Sequence, residues 1–251
     1  MRIALDKVAT IVAASALAAA LAGCSQQNAP SDKIKQAADS IVSKVDGSSP
    51  TPAPKLAEGA YAPRDECQNT PGAEAFLTQL RAAVKARNTD MLAALAASDV
   101  QLNFGGGSGT GQLRAELSKH DWSLWDEFDK LMALGCGVNA QGGITLPWFE
   151  TQDLSSVDAT TAMMVVGEKV PIHSDAEAKS KDTEDISWDI VTLDGSLQPE
   201  DKYQKITTSD GTTGFIATDK LRSLNDYRLV ASSRNGKWSF TSLSAGNDPN
   251  S

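Results

Sequence analysis

The chain has 251 residues, 41% hydrophobic and 22% charged, enough for one or two domains with a real core and ordinary in composition. Its 32 acidic against 23 basic side chains give a formal net charge of −9. A surface of that sign repels phosphate backbones and anionic headgroups, which excludes nucleic acid as a partner class and a basic patch as the means of membrane contact.

Arg2 and Lys7 make a short basic start, diluted by Asp6, and residues 8–21 follow as an Ala-rich apolar run. The run has the length of a signal-peptide core and is too short to span a bilayer comfortably. It ends in Leu21-Ala22-Gly23-Cys24, which resembles the bacterial lipobox. That resemblance implies a leader over residues 1–23, acylation of Cys24 and a membrane anchor made by the N-terminal lipid. Ser25 stands where Asp would resemble an inner-membrane retention signal, so in a Gram-negative cell the implied location is the periplasmic face of the outer membrane. An ordinary signal peptide with a coincidental Cys is the alternative.

Residues 24–64 read as a lipidated tether. Ile34, Ala38, Ile41, Val42 and Val45 recur at helical spacing between Ser31 as a cap and Gly47 as a stop. Residues 48–54 are a Pro-rich spacer that cannot form a core. Folding is expected to begin near Asp65.

Over residues 65–160 the pattern predicts a mixed α/β segment. Thr70 as cap and Pro71 as first helical residue introduce the apolar stripe Phe76, Leu77, Leu80, Ala83 and Val84. Thr89 caps a second helix carrying Met91, Leu92 and Leu95, and residues 100–104 alternate as a short strand. The Gly-rich run 105–111 lacks the Gly-Lys-Ser/Thr ending of a phosphate loop and reads as a flexible turn. Asp121 or Ser123 opens a helix through Trp125, Phe128, Leu131, Met132 and Leu134, stopped by Gly135. Residues 141–149 read as a turn and an aromatic-ended strand. Trp122, Trp125, Trp148 and Phe149 either line a ligand groove or fill the seam between a helical layer and a sheet.

Two Cys remain, Cys67 and Cys136, and in an exported chain they suggest a disulfide. A metal site needs further ligands, and His120 and His173 are the only histidines in the chain. No metal and no cofactor is therefore expected.

From residue 161 the pattern is β. Residues 162–166 form a buried-type strand, and 168–172 a second one that enters a polar loop over 174–185. Residues 186–191 read as a clear strand with Trp188 on one face, followed by a polar excursion over 194–202. Residues 203–208 alternate with period two, Asp210-Gly211 supplies a two-residue turn, and Gly214-Phe215-Ile216 begins the return strand. Beyond lies a hairpin over 225–248, with Asn235-Gly236 between alternating strands. It either extends the preceding barrel or returns to pair with the N-terminal segment.

The stretch from Tyr203 to Arg222 resembles the distal part of a bacterial SH3-like (SH3b) domain, and the order strand, long loop, strand, hairpin over 161–224 is similar to that of such domains. More broadly, Phe104-Gly105-Gly106, residues 146–149, 187–191 and 210–214, Arg222-Ser223 with Asp226-Tyr227-Arg228, and Gly236-Lys237-Trp238 resemble a family of bacterial exported proteins without assigned activity. The implied fold is α+β: an N-terminal helical layer with short strands, a small SH3-like β-barrel over 161–224, and a C-terminal β-hairpin.

No nucleophile elbow and no H-E-x-x-H helix occurs. Carboxylate pairs can be drawn from Glu116, Asp126, Glu127 and Asp189, but so acidic a chain makes any such pair weak evidence. The sequence thus points to a non-catalytic binding module for peptidoglycan peptides or envelope proteins. Trp188, Tyr203, Asp189 and Phe215 form the candidate ligand groove, with Trp188 as barrel core the competing role. A cryptic or degenerate cell-wall hydrolase is the alternative.

Overall fold

The structure is a computed structural model, and it describes residues 57–104, 107–120 and 123–246. Cys24, the 31–45 helix, Trp122 and the Gly105-Gly106 pair lie outside the described residues.

The first described residues supply four helices: α1 (Ala73–Lys85), α2 (Thr89–Leu95), α3 (Gly109–Leu117) and α4 (Leu124–Ala133). Between and after them come β1 (Ala96–Leu102), β2 (Gly107–Ser108), β3 (Gly137–Val138) and β4 (Ile144–Leu146). In α1 the apolar positions Ala73, Phe76, Leu77, Leu80, Ala83 and Val84 repeat at three and four residues, so one stripe is buried and the rest of the helix faces out.

Its start differs from the expectation. Pro71 lies outside the helix, Gly72 takes a left-handed φ of 79° as N-cap, and the Pro71 carbonyl accepts the indole N–H of Trp238 at 2.9 Å. The second helix is capped by Asn88, whose Oδ1 accepts the Met91 N–H, rather than by Thr89. Helix α3 begins inside the run expected as a flexible turn, with Leu113 and Leu117 buried and Glu116 buried beside them.

After β4 a cis Leu146–Pro147 bond turns the chain into a 3-10 turn, Trp148–Thr151, so the strand ends before its expected aromatic end. The next strands are β5 (Ala162–Val165), β6 (Val170–His173), β7 (Asp182–Ile186), β8 (Ile190–Leu193), β9 (Tyr203–Thr208), β10 (Thr213–Ala217) and β11 (Leu221–Ser223). Their order, β11-β5-β8-β9-β10-β6-β7, is an open sheet with no pairing between its two edge strands. Three expectations are corrected here. The polar loop over 174–185 yields its last part to β7, which pairs with β6. The strand expected over 186–191 is broken at Trp188, whose φ of 43° lies in the left-handed region and interrupts the extended chain. The Asp210-Gly211 turn holds three residues: Thr208 N–H reaches the Thr212 carbonyl, and Gly211 at φ 92° takes the left-handed position.

The final strands, β12 (Arg228–Arg234) and β13 (Lys237–Ser244), are joined by Asn235 at φ 54° and Gly236 at φ 77°, a two-residue turn of the expected kind. Of the two open arrangements, the hairpin takes the return to the N-terminal segment. The second sheet runs β2-β1-β13-β12-β4-β3, so β13 lies parallel to β1 and β12 antiparallel to β4. A register shift between Val230 and Ala231 moves the alternation, letting Leu243 face inward on β13 along with Trp238 and Phe240. The fold is α+β.

Cores follow the sheets. The largest joins α1 and α4 to the six-stranded sheet through Leu77, Leu80, Phe128, Leu131, Phe240 and Leu243. Cys67 and Cys136 are bonded within it, their Cα atoms 5.8 Å apart. Val165, Ile172, Val191, Ile206 and Ile216 make the core of the seven-stranded sheet. A third cluster, with Leu134, Trp148, Phe149, Met164 and Leu224, is drawn from both regions. Trp148 and Phe149 therefore fill a seam, one of their two expected roles, and Arg64 lies 5.4 Å over the Trp148 ring.

Candidate functional site

Four short segments meet at this seam around a recess of about 410 Å³. The C-terminal turn of α4 gives Lys130, Ala133 and the following Leu134; the ends of β5 and the β7–β8 break give Val166 and Trp188; the region around β11 gives Asp219, Leu221, Arg222 and Asp226.

Trp188 is held from three sides. Its N–H donates to the Gly167 carbonyl at 3.0 Å, its carbonyl accepts the Tyr61 N–H at 2.9 Å, and Gly59 packs against it. A Cβ on Gly59 would lie 2.7 Å from the Trp188 Cβ and still closer to the Ser187 carbonyl, and φ there is 124°. The incoming strap over 57–62 can therefore run so near Trp188 only with glycine at 59. A bulky residue at positive φ costs on the order of 1–3 kcal/mol, and these contacts keep it there.

Arg222 and Asp226 line the same recess and belong to a charged cluster to which sequence reasoning assigned no role. Arg222 is only 6% exposed. Its Nη1 meets Asp226 Oδ2 at 2.8 Å, its Nη2 donates to the Tyr227 carbonyl at 2.7 Å, and its Nε–H has no acceptor among the described residues. Burial pulls this guanidinium down from its ordinary range, while Asp226, Glu127 and Glu150 hold it up. Burial pushes the Glu150 carboxyl above its ordinary value, opposed by Arg228 and Arg222. The Tyr227 hydroxyl is pushed up to about 12, by burial first and then by Glu127, Asp226 and Glu116. Lys130 Nζ is bonded to Glu127 Oε1 at 2.8 Å, and Glu116, 2% exposed, is met by Lys119 Nζ at 2.7 Å and Gln112 Nε2 at 2.9 Å.

The four expected groove residues are not gathered in one place. Trp188 lines the recess just described. Tyr203 lines another, of about 510 Å³, beside residues 199–202 and the 3-10 turn Thr218–Lys220, and packs edge-on against His173 with centroids 5.6 Å apart. Asp189 turns its carboxylate onto the Ile190 N–H at 2.8 Å. Phe215 is paired with Lys205 on β9 and with His173 on β6, and lines neither recess.

Several residues with possible hydrolytic chemistry already have partners close by. Cys136 is committed to its disulfide, His173 Nδ1 is 2.8 Å from Asp182, and Asp126 pairs with Arg87. The sole ligand-like group among the described residues, Asp65 with Cys67 and Cys136, includes both bonded sulfurs and so offers no thiolate to a metal. Lys130, Arg222 and Asp226 escaped sequence reasoning as a site. Arg222 and Asp226 stood among the stretches that carry the family resemblance, but that resemblance assigns them no role, and their four-residue spacing has no fixed meaning outside a helix.

Comparison with protein-family models, with curated proteins and with solved structures returned no match for this chain.

Proposed function

We propose that this chain is a lipid-anchored protein of the bacterial cell envelope that binds peptide-type ligands without transforming them, through an SH3-like module and the helix packed beside it. The anchor reading rests on the apolar run and the Leu21-Ala22-Gly23-Cys24 tetrapeptide. Support for the module comes from chain order: β5, an excursion carrying the β6–β7 hairpin, β8, a polar loop, the β9–β10 hairpin, a one-turn 3-10 helix, and β11 returning to pair with β5. In this reading the module is inserted between β4 and β12 of the other sheet.

One observation carries the binding reading. Trp188, in an unfavourable backbone conformation, walls a recess that also contains a buried Arg222–Asp226 pair with an unused Nε–H. Backbone strain and a half-satisfied buried cation both cost stability, and such features concentrate where a ligand is received.

The test is co-sedimentation of the full chain with purified peptidoglycan sacculi, with muropeptide release read in the same tubes. Retention without release, weakened about tenfold or more by Trp188→Ala in a variant that still folds, is the expected result. Release abolished by one polar substitution would replace this reading with the hydrolase. Absence of both would overturn the peptidoglycan assignment.

A further inference from the structure

We infer that the recess beside Trp188 takes an ammonium-ended aliphatic side chain, that of a lysine or another diamino acid within a peptide. The inference rests on the binding reading above and specifies its ligand.

The walls set the shape. Ala133, Leu134, Val166 and Leu221 give the recess aliphatic sides, and the indole gives it an aromatic one. Methylene groups are favoured against both, and an aromatic face attracts a cation.

Charge decides the end group. Lys130 is engaged by Glu127 at 2.8 Å, and Arg222 by Asp226 at 2.8 Å and by the Tyr227 carbonyl. Asp219 is the least committed charge on the rim: its carboxylate is 76% exposed and its nearest cation, Lys220, stands 3.6 Å away on the adjacent residue. An entering ammonium thus finds an available carboxylate. The Arg222 Nε–H has no acceptor among the described residues but is itself fully buried, so it adds no contact for the ligand. A ligand carboxylate would enter against Asp226, Glu127 and Glu150, which already surround Arg222, and against a chain of net charge −9.

The experiment titrates the full chain with Nα-acetyl-lysine N-methylamide and with its norleucine counterpart, which has the same chain without the ammonium, reading NMR shifts. The lysine probe is expected to bind about fivefold to tenfold more tightly, the sum of one exposed cation–π contact and one exposed ion pair. Asp219→Asn, at an exposed position, is expected to remove about half of that difference, leaving the cation–π part, and raised salt to shrink it. Equal or tighter binding of norleucine, a preference undiminished by Asp219→Asn, or no shift from either probe would each overturn the inference.

A second arm identifies the source of the amine. If sacculi lose the protein once their free amino groups are acetylated, the ligand is a peptidoglycan stem. Lysine-probe binding with unchanged retention on acetylated sacculi upholds the recess chemistry and assigns it to an envelope protein. Sacculus retention without any preference for the lysine probe defeats this inference alone and leaves the binding function standing.

Discussion

Trp188 shows how one residue can serve two opposed demands. Its side chain joins the seam cluster, while its backbone occupies a region that suits glycine. Two substitutions separate the terms. Trp188→Ala loses the packing and keeps the unfavourable φ, at a cost of about 2 kcal/mol for a half-buried indole. Trp188→Gly loses the same packing but relieves the backbone, so it is expected to be about 1 kcal/mol more stable than the Ala variant, the reverse of their usual order in a strand. Urea denaturation of the two proteins decides it. Glu150 adds a pH dependence. Its folded carboxyl sits above its ordinary value because burial outweighs Arg228 and Arg222. The folded state therefore holds that proton more tightly than the unfolded chain. The contribution is fully present below the ordinary carboxylate range and is lost as pH rises through the folded value. Glu150→Gln should accordingly stabilise the protein at pH 7 and do so less at pH 4, as read from urea midpoints. Neither residue was legible in its role. Trp188 looked like one position in an alternating strand, and positive φ leaves no mark on the pattern around a tryptophan.

Elements were most legible where a local rule fixed them. Helix α1 announced itself by its apolar stripe, and the β12–β13 turn by Asn-Gly. That turn needs left-handed φ at both residues. Asn235→Val should cost about 1–2 kcal/mol, since a β-branched side chain resists φ 54°, and the loss is measured by thermal melting with β12–β13 amide exchange as the local readout. Elements were missed where tertiary pairing overrode local signals. β7 has the polar sequence DTEDI and reads as loop, yet it is held as an edge by β6, with only Ile186 buried. Helix α3 hides behind glycines and a weak apolar stripe; contacts from Leu113 and Leu117 to the core keep it helical. The first helix starts late because the Pro71 carbonyl has a partner, the Trp238 indole, that lies far along the chain.

At the scale of the molecule, the disulfide was readable from cysteine count and the hairpin's partner strands were not. Cys67 and Cys136 are 69 residues apart, and backbone bonds reinforce their bridge: Glu66 N–H to the Cys136 carbonyl at 2.9 Å, and Cys136 N–H to the Arg64 carbonyl at 2.8 Å. Reduction, or Cys67→Ala with Cys136→Ala, is expected to cost about 2–4 kcal/mol by freeing that loop in the unfolded chain, measured as a lower urea midpoint. Which strands β12 and β13 would join had no local signature, because their partners β4 and β1 lie more than eighty residues away in sequence.

That sheet order also fixes a sequence of events in time. A chain growing from its N-terminus completes all seven strands of the middle sheet by Ser223, whereas β1 and β4 of the other sheet have nothing between them until β12 and β13 emerge. Until then Phe128 lacks Phe240, and the stripe of α1 lacks the strand it packs on. Helices α1 and α4 are thus among the last to be fully buried, and their apolar faces stay open while most of the protein is being made. A ribosome that stops short of residue 228 leaves a finished middle joined to an adhesive beginning, so nonsense mutations near the end should be as damaging as those near the start.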